Sequence, residues 1–189
     1  MPRGWARRSA QSRTRYEAKA RQGMPSHGRW IGVDVGTVRV GVAESDADGI
    51  LATPVATLVR DEDGGSDLAA LAALVGERAA TAVYVGLPLQ LSGSEGAAAQ
   101  LAREYAARLA ALVAPVRVRL VDERLTSVAS HRRLHESGRA GRTHRAVVDQ
   151  VAAVLILQAA LDAQRATGVA PGELVGTSGR KPRTKERRG

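Results

Sequence analysis

The chain contains no cysteine and no phenylalanine, and only two tryptophans and three tyrosines. The absence of cysteine excludes a disulfide framework, a thiolate zinc site and a thiol nucleophile, and suits a reducing cytosol. A metal ion would have to be held by oxygen or imidazole. Long apolar runs are also missing, since the longest, Val147 to Leu161, is interrupted by Asp149, Gln150 and Gln158, and no apolar run follows the basic residues at the N-terminus. Neither a Sec signal nor a membrane span is expected, and the cytoplasm is the expected location.

What is present is enough for one α/β domain with a proper core: 189 residues, 44% hydrophobic. The net charge of +9 is placed unevenly. Residues 1–27 carry seven Arg/Lys against Glu17 alone, and residues 168–189 carry six against Glu173 and Glu186. The middle, 28–167, is close to neutral, with 15 basic and 16 acidic groups. The expected organisation is therefore a basic, disordered N-terminal tail at 1–27, a folded domain at 28–167 and a basic, disordered C-terminal tail at 168–189, with both tails suited to phosphate backbones. Within the domain, Arg124 to Arg145 holds six arginines and three of the four histidines, with Glu136 as its one acid.

Hydrophobic periodicity predicts strands at Trp30–Val35, Val38–Glu44 and Ile50–Val59, a helix at Asp67–Arg78 and a strand at Ala82–Gly86. A second helix is expected from Ser94 or Glu95 to Val113, where Pro115 stops it, and a strand at Val116–Val121 with Arg117 and Arg119 pointing outward. Thr126 or Ser127 would cap a short helix, Ser137–His144 would be a loop, and Ala146–Gln164 the last helix. The order βββαβαβαα implies a five-stranded mixed sheet, three of its strands parallel, with helices on both faces.

Three acids fall where this arrangement brings segments together. Strand alternation puts Asp34 inside a central strand, where an ionised carboxylate must be paired or bind a metal; the alternative is a cap on the Gly36-Thr37 turn. Asp149 shares a helix stripe with Ala152, Ala153, Ile156 and Ala160, small enough for close approach to the sheet; the alternative is an acid complementing the helix dipole. Asp122 and Glu123 follow the last strand, where open α/β sheets place ligands. The shorter Asp122 suits a pairing with Arg124, and Glu123 is the expected ligand. Three convergent carboxylates suit Mg²⁺ or Mn²⁺, and two such ions would support in-line hydrolysis of a phosphodiester. Arg124 and Arg145 would orient the phosphate.

The segments D-V-G-T-V-R-V-G-V-A-E-S-D, V-G-L-P-L-Q-L-S-G-S-E, D-E-R-L-T-S and V-D-Q-V-A-A-V-L-I-L-Q, in this order, resemble the YqgF family, also called RuvX, over about residues 29–165. The resemblance implies a ribonuclease H-like fold, metal-binding catalytic acids at Asp34, Glu123 and Asp149, and Arg39 and the Gly86-Leu87-Pro88 turn beside them. It implies maturation of the 5′ end of 16S ribosomal RNA in the cytoplasm, on a free RNA or a ribosomal particle, with DNA-junction resolution as the alternative. Val38 and Glu44 depart from the family pattern, which generally has lysine and a small apolar residue there. Structured RNA and DNA junctions both suit a chain with 3% aromatic residues, which favours recognition of backbone and shape over base stacking. An RNA-processing enzyme would work as a monomer, whereas a junction resolvase would need a homodimer. Two other classes fit less well. An actin-like ATPase also opens with D-x-G-T, but needs a second domain for which there is no room. A non-catalytic ribosome-assembly factor would gain nothing from carboxylates facing phosphate. Removal of either basic tail is expected to weaken nucleic-acid binding generally and to flatten its dependence on salt, read from affinities across a salt series.

Overall fold

In W-I-G-V-D-V the alternate residues serve two different cores. The computed structural model describes residues 28–125 and 142–176, with the backbone alone for 125 and 142–149. Strand β1 (Trp30–Val35) pairs antiparallel with β2 (Arg39–Ser45), and β2 antiparallel with β3 (Ala52–Val59). On its other side β1 runs parallel to β4 (Ala82–Leu87), which runs parallel to β5 (Arg117–Asp122). The sheet order is β3-β2-β1-β4-β5-β6, the last being Glu173–Leu174.

Ile31, Val33 and Val35 face helices α1 (Ser66–Glu77) and α2 (Ala97–Leu112), packing with Val40, Val42, Val83 and Val85 against Leu68, Leu71, Tyr105 and Leu109. Trp30 faces the opposite way with Ala43 and Tyr84, against Ala153, Leu157, Ala160 and Leu161 of helix α3 (Arg142–Thr167). The result is a three-layer α/β fold with helices on both faces of a mixed sheet, as the sequence implies.

The differences have local causes. The sheet has six strands rather than five, because Glu173–Leu174, placed in the tail by composition, form β6 on the open edge of β5. Arg119 makes that possible: rather than pointing into solvent, its guanidinium donates to the carbonyls of Pro171 and Gly172 at 2.7 and 2.8 Å. Arg103 ties down the same segment, bonding Glu173 on one side and Glu95 on the other. Because Glu95 is held there and bridges to Leu89, α2 starts only at Ala97. Helix α3 begins at Arg142, inside the stretch expected to be a loop, and runs to Thr167, followed by Gly168 at φ +69°. The short helix expected at Thr126 or Ser127 lies outside the described residues, as do residues 1–27 and 177–189.

Strand β3 is fixed at the site end of the sheet by polar contacts. The Arg60 amide donates to Val38 O at 2.9 Å, tying the end of β3 to the β1–β2 turn. Its guanidinium, buried beneath the Tyr105 ring, bonds the buried Asp67 of α1 at 2.7 Å.

Helix α3 lies unusually close to β1, and a glycine allows it. A Cβ on Gly32 would stand 2.6 Å from Leu157 Cβ and 2.8 Å from the Ala153 carbonyl oxygen. Neither neighbour is the flexible end of a side chain. Gly32→Ala is therefore expected to lower stability by about 3 kcal/mol, the upper range for overpacking a core, read as a lower urea midpoint at unchanged slope.

Candidate active site

The parallel strands β1, β4 and β5 all end at one edge of the sheet, where two buried acids stand. Asp34 is the fifth residue of β1, on the face turned to α3, and is 7% exposed. Glu123 is 3% exposed and opens a single 3₁₀ turn, Glu123–Leu125, directly after β5. Gly86 connects them. In the parallel β1–β4 ladder Val33 stands opposite Val85, so Asp34 and Gly86 come one residue further along neighbouring strands, about 4.8 Å apart. A Cβ on Gly86 would run into Glu123 Oε1, and would lie 2.5 Å from Ile156 Cδ1 of α3. The Glu123 carboxylate thus folds back over β4 into the layer between sheet and helix, beside the strand that carries Asp34. The space occupied by Glu123 exists because residue 86 has no side chain.

The adjacent acid has a different role. Asp122 accepts the Arg124 amide at 2.9 Å and takes the Arg124 guanidinium on both oxygens, at 2.7 to 3.1 Å. These bonds, the guanidinium's first, hold the Asp122 carboxyl below its ordinary value of 3.8. Asp122 thus pairs with Arg124 as expected, and Glu123 is the acid turned inward. The pairing also means that Arg124, exposed at the rim, could meet a phosphate only as a guanidinium already neutralised by Asp122.

The turn-capping alternative for Asp34 finds the Gly36 amide already engaged, donating to Arg39 O at 2.9 Å. Arg39 begins β2 half-buried, at the same end of the sheet as Asp34. Arg145 falls in the first turns of α3 and Asp149 two turns into it; their side chains lie outside the described residues. Among the described residues no three His, Asp or Glu side chains come together.

The helix backbone nevertheless defines where Asp149 stands. Gln158 of α3 accepts the Ala52 amide at 3.0 Å and donates to Ile50 O at 3.0 Å, at the far end of β3. Gln150 Nε2 donates to Thr57 Oγ1 at 3.2 Å. Thr57 is in register with Gly41, and Gly41 with Asp34. Two polar contacts therefore run α3 along the sheet, with the turn at Asp149 and Gln150 over the row that contains Asp34. Sequence reading registered these glutamines only as breaks in an apolar run, although amides on an otherwise apolar helix face are themselves a signal that backbone or hydroxyl partners await them. The in-strand glycines 32 and 86 carried a similar signal, of a close approach by another segment.

A family model described as "RuvX: Holliday junction resolvase" matches residues 28–163. Among curated relatives, a protein of Frankia casuarinae is 58% identical over 142 residues, 75% of this chain and 70% of that one. One of a Nocardioides species is 56% identical over 147 residues, 77% and 94% of the two chains. Both carry the name "Putative pre-16S rRNA nuclease". Among solved structures, Thermus thermophilus RuvC in complex with Holliday junction substrate aligns with a TM-score of 0.50 at 15% identity, over 79% of this chain and all of that one. That likeness concerns the fold, which is the ribonuclease H-like one. Asp122 gives a test of the local electrostatics. Its depressed pKa contributes stability that is complete above 3.8 and lost as pH falls through the lower folded value, so the melting temperatures of wild type and Asp122→Asn should differ at pH 6 and converge toward pH 2.

Proposed function

The chain belongs to the RuvX family, and from that premise and the two buried acids we propose that it is a metal-dependent nuclease that hydrolyses phosphodiester bonds in the 5′-end maturation of 16S ribosomal RNA. The carrying observation is the paired burial of Asp34 and Glu123 at the carboxyl edge of the parallel strands, with Gly86 vacated to admit the second carboxylate. Carboxylates buried at the carboxyl edge of parallel strands must be hydrogen-bonded, paired or bound to a cation, and this edge is where open α/β sheets place ligands. An all-oxygen donor set suits a hard divalent ion, Mg²⁺ or Mn²⁺.

Asp34 and Glu123 would hold the ion, with Asp149 from α3 as the third acid. When bound, a pair of such ions would supply a water activated for attack and neutralise charge developing on the leaving oxygen. The chain's own residues do the rest. The sheet fixes the backbone that carries the acids, since Asp34 is in the β1–β2 ladder opposite Gly41 and the Glu123 carboxylate lies over Gly86. Arg39, Arg124 and Arg145 supply positive charge near a phosphate backbone, Arg124 with its charge shared by Asp122. The basic residues of the C-terminal segment all lie beyond 176, so β6 belongs to the folded domain and the charge to residues 177–189. With residues 1–27 they are read as sequence-independent contacts to phosphates away from the scissile bond.

Pre-16S RNA is preferred over a DNA junction because the relatives at 58% and 56% identity carry the RNA-directed name. No helix among the described residues is long and apolar enough to cross a membrane. The test is cleavage of a 5′-extended 16S precursor and of a four-way DNA junction in Mg²⁺ or Mn²⁺. Asp34→Asn, Glu123→Gln and Asp149→Asn are each expected to reduce RNA cleavage by at least about 100-fold, the scale for removing one preorganised electrostatic group, while the fold persists by circular dichroism. Cleavage confined to the junction would reassign the substrate, and cleavage insensitive to all three variants would end the assignment of the site.

A further inference from the structure

The row that contains Asp34 does not end at β2. It continues through Gly41 to Thr57 on β3, and all three positions face α3. Thr57 reaches that face through an irregularity. Ala52 pairs with Ser45 and Thr57 with Gly41, so five steps along β3 match four along β2, with the register shift at Val42/Ala43. Five steps in a regular strand would turn Thr57 to the face opposite Ala52, because side chains alternate. The bulge, in which Val55 is the additional residue, restores the parity. Val55 packs with the α1–α2 core, while Thr57 comes up beneath Gln150.

The spacing along α3 fits the same frame. From Gln150 to Gln158 the helix rises about 12 Å; from Gly41 to Ser45 the strand covers about 13 Å. Two amides on one helix face thus meet two fixed points on β3, one at each end. Between them the contact with the sheet is made by small and apolar groups, Ala153 and Leu157 over Gly32, which fix the distance of approach but resist sliding weakly. Directional bonds are what define height along the sheet, and the Gln150–Thr57 bond lies at the site end.

From this arrangement we propose that Gln150 and Thr57 are positioning residues of the active site: their bond, made possible by the β3 bulge, sets the height at which α3 presents Asp149 opposite Asp34. The inference rests on the nuclease reading, in which Asp149 is the third acid. Thr57 holds Gln150, Gln150 neighbours Asp149 in the chain, and neither needs to touch metal or RNA. Thr57 lies on an edge strand, and it is the bulge that turns its hydroxyl toward the helix layer.

Thr57→Val removes the hydroxyl at nearly constant shape, and Gln150→Met removes the amide. The metal midpoint is read from the rise in melting temperature on titrating Mn²⁺, and cleavage of the 16S precursor is followed in parallel. Both variants are expected to raise the Mn²⁺ midpoint about 10-fold and to lower kcat by a similar factor, the lower range for loss of a partner that orients a metal ligand. KM for RNA should stay unchanged, and Thr57→Ser should restore both quantities. A general loss of stability would lower the metal-free melting temperature without moving the Mn²⁺ midpoint. If wild type responds to Mn²⁺ and both variants keep its midpoint and its kcat, the pair is a structural tie and the inference is overturned. If wild type itself shows neither a metal response nor cleavage, the nuclease reading falls first and this one with it.

Discussion

Close approach of one helix to one strand is the constraint on which the rest of this structure depends. With Gly32 beneath it, α3 rests its Ala153 backbone and Leu157 side chain against β1, at separations that a methyl group would forbid. Side chains of ordinary size hold packed layers apart. Where glycine and alanine replace them, the layer thins and the polar groups at its margin are drawn out of water. Asp34 and Glu123 are buried at that margin, Glu123 in the space that Gly86 leaves, where a carboxylate at the end of a strand would ordinarily be solvated.

Asp122 and Glu123 illustrate how much the direction of a backbone decides. The two are adjacent and chemically alike, yet one is spent on Arg124 at the rim and the other is directed inward over Gly86. A strand alternates its side chains, so Glu123 continues the α3-facing side of Val121 while Asp122 falls on the other face. The pairing with Asp122 holds the Arg124 guanidinium at the rim.

Much of this was legible in the sequence, for reasons that can be given residue by residue. Alternation in Trp30–Val35 marked a central strand and placed Asp34 on the face opposite Ile31, Val33 and Val35, and the alanine stripe from Ala152 to Ala160 marked a helix able to come close. Those are local patterns of period 2 and 3.6, carried by residues that need no partner to be recognised. What could not be read were properties of pairs distant in sequence. Arg119 alternates correctly for an outward position, and only the return of Pro171 and Gly172 to the sheet, 52 and 53 residues later, turns it into an anchor for β6. Glu95 is a fair first residue for a helix until Arg103 and the bridge to Leu89 claim it. The β3 bulge is invisible for the same reason, since a register shift belongs to two strands and not to either alone.

The sheet also has a polarity that orders the charges of the whole chain. The carboxyl ends of β1, β4 and β5 gather acids at one edge, whereas the described chain begins at Gly28, before the amino end of β1, at the opposite edge. Because β6 runs antiparallel to β5, with Val175 bonded back to Val118, the chain also leaves through Gly176 in the direction of that opposite edge. Both strongly basic segments are therefore attached at the end of the domain away from Asp34 and Glu123. Counterion release depends on how many phosphates are contacted and little on which ones, so on the nuclease reading tails attached away from the acids would still contribute affinity. The two basic segments and the acids Asp34 and Glu123 are thus attached at opposite ends of the central strands, while Arg39 and Arg124 stand at the acids' end.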